Sequence, residues 1–135
     1  QAIKELDEIK QQKLWQQGRS KEYYTLITDT LRRYIVDRFG INAMEMTSGE
    51  ILDIIRKQQE ATSVYESLKQ IMQLADFMKF AKMNPLPDEN DLSLMNAYLF
   101  INQTKEEEIP VPGEGEKAEG EVKSVEKNDS NISKE

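Results

Sequence analysis

Apolar residues return every three or four positions along most of this chain, the spacing of helices that bury one face. Over residues 20–39 the stripe is Tyr23, Tyr24, Ile27, Leu31, Tyr34 and Ile35, which fall within about 120° of arc. Ser20 stands before it as the expected N-cap, and Gly40 follows as the expected stop. Asp29, Arg33 and Asp37 occupy successive i,i+4 positions on the other side, a ladder read as a solvated face.

Upstream, Ile3, Leu6, Ile9 and Leu14 share a face over residues 2–17, interrupted by Lys10 and Lys13 and closed by Gly18. This first helix has the least apolar surface and is expected to be the least secure. After the apolar connector "INAMEM", Thr47 and Glu50 have the spacing of a capping box, predicting a helix over 48–59 with Ile51, Leu52, Ile54 and Ile55 buried. Met46 is placed to staple onto Ile51. A second such pair, Ser63 and Glu66, is expected to start a fourth helix. Its apolar arc runs through Val64, Leu68, Ile71, Met72, Leu74, Ala75 and Met78, and an arc of about 200° predicts a central helix. Pro87 suits the first turn of a fifth helix, with Asp88 and Glu89 favourable to its dipole and Leu94, Ala97, Tyr98 and Ile101 as its core stripe to Thr104.

Residues 105–135 change character. They hold five lysines against ten acids, no aromatic residue and only scattered Ile and Val. Such a segment buries too little apolar area to offset its ordering entropy and is expected to be disordered. Nothing alternates with the period of a strand, and no repeat of solenoid length recurs. The prediction is an all-α fold: a compact bundle of about five helices over residues 1–104, followed by a disordered acidic tail over 105–135.

Composition narrows the chemistry. The chain of 135 residues has no cysteine and no histidine. Disulfides, thiolate metal sites, a cysteine nucleophile and a Ser–His–Asp triad are therefore all excluded. The net charge of −7 lies mostly in the tail, so residues 1–104, with 13 basic and 15 acidic side chains, carry no basic field for phosphate backbones or anionic lipid. No stretch approaches the roughly 18–20 apolar residues that cross a bilayer. The start on Gln1 is read as the start of a piece cut from a longer protein.

Asp88 and Asp91 could in principle do acid–base work, but at a helix start such residues serve as dipole partners. The run Asp88–Asp91 lacks the spaced ligands, central glycine and closing glutamate of a calcium loop, and no phosphate-binding loop occurs. The expectation is a non-enzyme with no cofactor and no metal. The alternative reading is a helix-turn-helix DNA-binding module built from the second and third helices. Its recognition helix would present Ser48, Gly49, Glu50 and Asp53, the wrong charge for phosphate.

One stretch resists a purely architectural reading. "DFMKFAKMNPLPDEN", residues 76–90, puts Phe77 and Phe80 off the apolar arc of the fourth helix, among Glu66, Gln70, Gln73 and Asp76, while Lys79 and Lys82 point toward it. The first expectation is that Pro85–Pro87 folds the chain back so that the fifth helix covers the phenylalanines, Phe77 more than Phe80, while the lysines snorkel. The other is a partner-binding surface of Phe77, Phe80, Met83 and Leu86, which Met44, Met46 and Met78 could join.

Three segments together carry a resemblance: "KLWQQGRSKEYYTLITDTLRRYIVDRFGINAMEMTSGEIL" (13–52), "LADFMKFAKMNPLPDEN" (74–90) and "NAYLFI" (96–101). The chain resembles, over about residues 1–104, the C-terminal cytoplasmic helical domain of BatD-like inner-membrane proteins of Bacteroidetes, encoded beside MoxR-type AAA+ ATPases and von Willebrand A-domain proteins of the aerotolerance group. The resemblance implies a periplasmic β-sandwich region and one membrane span ahead of Gln1, placing this domain on the cytoplasmic face of the inner membrane. It implies protein partners from that complex and supplies no catalytic residues, while the near-neutral charge of residues 1–104 points to no nucleic-acid partner.

Overall fold

The computed structural model describes residues 1–81 and 83–106; within it Gln1–Lys105 forms one compact unit. Its helices are α1 (Ala2–Gln12), α2 (Ser20–Phe39), α3 (Ser48–Ile55), α4 (Tyr65–Ala81) and α5 (Pro87–Thr104), and the described residues contain no strand. The all-α bundle of five helices is thus the fold of this chain. The tail expected over 105–135 lies outside the described residues beyond Glu106, as does the inward aim expected of Lys82.

Local chemistry accounts for most of the ends. At α3 both halves of the capping box form: the Glu50 amide donates to Thr47 Oγ1 at 3.1 Å, and the Thr47 amide donates to Glu50 Oε1 at 2.8 Å. Gly40 closes α2 with φ 71°, a conformation open to glycine at no steric cost. Pro87 is the first residue of α5, and the Glu89 carboxylate accepts from the Leu86 amide at 2.8 Å.

Other ends depart from expectation. The first helix stops at Gln12, not near Gly18, because Lys13 takes the left-handed conformation at φ 51°. A 3-10 turn over Trp15–Gln17 then carries the chain to Gly18. That break lets Leu14 turn inward and become buried although it lies beyond the helix. Ser20 is no cap: Arg19 holds that position, and Ser20 is itself helical and buried. Ser63 does not start α4 either, because a 3-10 segment over Gln59–Val64 runs straight into it, leaving no separate N-terminus to cap. Residues 56–59 lie outside α3, and Ile54 is only half-buried.

The core joins every helix. Leu6 and Ile9 of α1, Ile27, Leu31 and Ile35 of α2, Ile51 and Ile55 of α3, Leu68, Ile71 and Met72 of α4, and Ala97, Phe100 and Ile101 of α5 are all buried. α4 packs against α2, α3 and α5, as its wide arc predicts, and α1 packs against α2 and α5. The helix expected to be least secure is held at its sides as well: Arg33 of α2 reaches Glu5 at 2.8 Å, and the Tyr98 hydroxyl of α5 donates to Asp7 at 2.5 Å.

The polar contacts also fix direction. Tyr23 and Tyr24 near the start of α2 bond to Asn90 near the start of α5, while Tyr34 and Arg38 near the end of α2 bond to Thr104 at the end of α5. α2 and α5 therefore run parallel, with α1 and α4 antiparallel to them. One end of the bundle carries the turn between α4 and α5. The other carries Gln1 and Lys105, which line a common hollow.

Candidate interaction surface

α4 stays regular to Ala81, and its inward positions continue to Met78, which is buried. Phe77 and Phe80 fall outside that face. The chain turns over residues 83–86 and returns as α5 along the flank of α4 that bears Gln70, whose side chain bonds to Ser93 and Asn96. Phe77 lies on that same flank two turns further on, yet α5 leaves it half-exposed, and Phe80 on another flank stays open. Phe77 is 47% exposed and Phe80 74%, which overturns the expectation that α5 buries either. Lys79 is exposed rather than inward, with its Nζ 5.3 Å from the centre of the Phe80 ring.

The turn itself is anchored by Pro85, which is buried. Its neighbours face outward, Met83 at 59% exposure and Leu86 at 67%. Four large apolar side chains thus project from ten consecutive positions at one end of the bundle. They are not all on one side. Phe77 borders a shallow groove of about 390 Å³ between α4 and α5, beside Gln73 and Glu89. Phe80 borders a larger groove of about 740 Å³ between α2, the α2–α3 connector and α4.

Met44 and Met46 line that larger groove with Phe80, and Met78 reaches its floor from the core. The connector is held in place by Arg32, whose guanidinium donates to the carbonyls of Ala43 at 2.7 Å and Met46 at 2.5 Å. At one edge Ser48 donates to Asp76 at 3.3 Å, which sets a carboxylate beside the start of α3. Together with the exposed Glu50 and Asp53, this makes the would-be recognition helix locally acidic. The groove walls mix Lys21, Arg32 and Lys79 with Asp29, Glu45 and Asp76, so neither sign prevails.

Behind the surface lies a polar network that the hydrophobic pattern does not reveal. Gln70 Nε2 donates to Ser93 Oγ at 3.1 Å, and Ser93 Oγ lies 3.0 Å from the Tyr24 hydroxyl. The latter donates to Asn90 Oδ1 at 2.9 Å, and the Tyr23 hydroxyl donates to the Asn90 carbonyl at 2.8 Å. Burial pushes the Tyr24 phenol up to about 12 and raises that of Tyr23 as well. Tyr98, outside this network, also has its phenol pushed up to about 12, by burial and by its hydrogen bond to Asp7. The Glu5 carboxyl is lowered, chiefly by the hydrogen bond from Arg33.

Asp88 sits exposed in the first turn of α5, and Asp91 is exposed just beyond it. Among the described residues no group of three or more acidic side chains is placed to hold a metal ion. No described helix is long and apolar enough to cross a membrane. The sequence reading also missed a stripe on α5, Leu92, Met95 and Leu99, all exposed on the side opposite Leu94, Ala97 and Ile101. Their i, i+3, i+7 spacing was the available signal. Comparison of the chain with family models, with curated proteins and with solved structures finds no match.

Proposed function

We propose that this domain is a non-enzymatic protein-interaction module whose docking surface is the α4–α5 turn, with Phe77, Phe80, Met83 and Leu86 as its apolar anchors. One observation carries the reading: these four large apolar side chains are all exposed within ten consecutive positions at one end of the bundle. Large apolar residues gathered at the surface mark contact sites, and aromatic and methionine side chains are those enriched at interface centres. Arg32 fixes the α2–α3 connector that faces Phe80 across the larger groove, and Pro85 is buried at the turn itself.

The resemblance of residues 13–52, 74–90 and 96–101 supports a setting. In that setting the domain belongs to a membrane-anchored envelope protein, on the cytoplasmic face of the inner membrane, and its partners are AAA+ ATPase and von Willebrand A-domain proteins. Gln1 lies at the opposite end of the bundle from the α4–α5 turn, and α5 with its 18 residues spans about 27 Å between those ends.

The test is binding of the purified partners to the full-length membrane protein, measured with and without Phe80→Ala and Met83→Ala. Loss of affinity by about 30-fold for the pair, with an unchanged helical signal, is the expected outcome. Unaltered affinity in the double variant removes the turn as the docking surface.

A further inference from the structure

A second surface, on a different face of the molecule, is independent of the reading above. Leu92, Met95 and Leu99 fall within about 60° of one another on the outer side of α5. They are substantially exposed, Met95 most of all at 63%. α5 is thus apolar on two opposite faces, of which the other helices of the bundle cover the one with Leu94, Ala97 and Ile101 and leave this stripe open.

The order of residues along the stripe says what fits it. Leu92 and Leu99 flank Met95 almost symmetrically, so an identical stripe running the opposite way meets it leucine to leucine and methionine to methionine. The residues next along the same face are Asp88 at one end and Asn102 and Gln103 at the other. In the antiparallel register that sets Leu92 against Leu99, the Asp88 carboxylate meets the amide side chains of Asn102 and Gln103, which can donate to it. A parallel pairing brings Asp88 against Asp88 instead, and like charges in juxtaposition oppose association. Antiparallel helix dipoles favour the same choice.

We propose that two copies of this chain associate through α5, antiparallel, about a two-fold axis that passes beside Met95. The contact is isologous: each copy offers the same stripe, and each supplies both ends of the polar match. A single helix-on-helix contact of this size makes a weak, concentration-dependent dimer rather than an obligate one.

The chain contains no cysteine, so single thiols can report proximity without background. In the full chain under mild oxidation, Met95→Cys is expected to give a covalent dimer, whereas Phe80→Cys, at a more exposed site on another face, stays monomeric. Leu92→Cys mixed with Leu99→Cys is expected to give the mixed dimer in preference to either self-dimer. In sedimentation, association of the unmodified chain that rises with concentration is abolished by Met95→Lys with helical content intact. A chain that stays monomeric up to its solubility limit, equal cross-linking at position 80, or self-dimers preferred at positions 92 and 99 each overturns the proposal. So does a dimer that survives Met95→Lys, or a stripe occupied only by a different protein.

Discussion

The Tyr24 hydroxyl donates to Asn90 Oδ1 at 2.9 Å, and this bond inside the bundle links the starts of two parallel helices separated by 66 positions in the chain. Both side chains are buried, so each depends on the other to satisfy a polar atom that water does not reach.

Tyr24→Phe should therefore destabilise the domain by about 1–3 kcal/mol, since Asn90 loses a donor and Ser93 a partner while the ring still fills its space. Urea denaturation with an unchanged slope measures this. A cost near zero would show that the network contributes no stability.

The capping box at α3 offers a local test. Thr47→Ala removes the oxygen that accepts from the Glu50 amide and should cost about 0.5–2 kcal/mol. Thr47→Ser keeps the oxygen and should recover most of that loss, a contrast that thermal melts of the two variants can read.

Three phenylalanines should separate by burial. Phe100 is fully enclosed between α2 and α5, with the Tyr34 ring 6.1 Å away, so Phe100→Ala should cost about 3–5 kcal/mol. Phe80→Ala should leave stability within about 0.5 kcal/mol, and Phe77→Ala should behave nearly as mildly. Equal losses at positions 77 and 100 would contradict the exposed placement of Phe77.

Alkaline pH should weaken the fold. Tyr24 and Tyr98 are each pushed up to about 12, and Tyr23 is raised as well, whereas an unfolded tyrosine titrates near 10. Between those values the folded state holds more protons than the unfolded one, so stability is complete below about pH 10 and falls as pH rises toward 12. Chemical denaturation across that range follows the loss, and Tyr24→Phe should flatten it.

Much of the fold is legible in the order of residues, because it rests on short-range periodicity and end chemistry. The stripe from Tyr23 to Ile35, the wide arc of α4, Gly40, the Thr47–Glu50 box and Pro87 each act over one or two helical turns, where near neighbours in the chain are also neighbours in space. The misreadings have separate local causes: Arg19 takes the cap position ahead of Ser20, a 3-10 segment reaches Ser63 already coiled, and Lys13 turns left-handed before Gly18.

What tertiary packing decided is the direction and flank of each helix. Helical wheels place Phe77 and Phe80 off the core of α4, but how far α5 covers them depends on the turn at residues 83–86 and on Gln70, Ser93 and Asn96, which hold α5 along the Phe77 flank while Phe77 stays half-exposed and Phe80 open. The parallel run of α2 and α5, the buried pairing of Tyr24 with Asn90 and the exposure of Leu92, Met95 and Leu99 are likewise contacts between segments far apart in the chain. A one-dimensional pattern records which faces are apolar. It does not record which face meets which, because that choice is made by the summed packing and hydrogen bonding of all five helices at once.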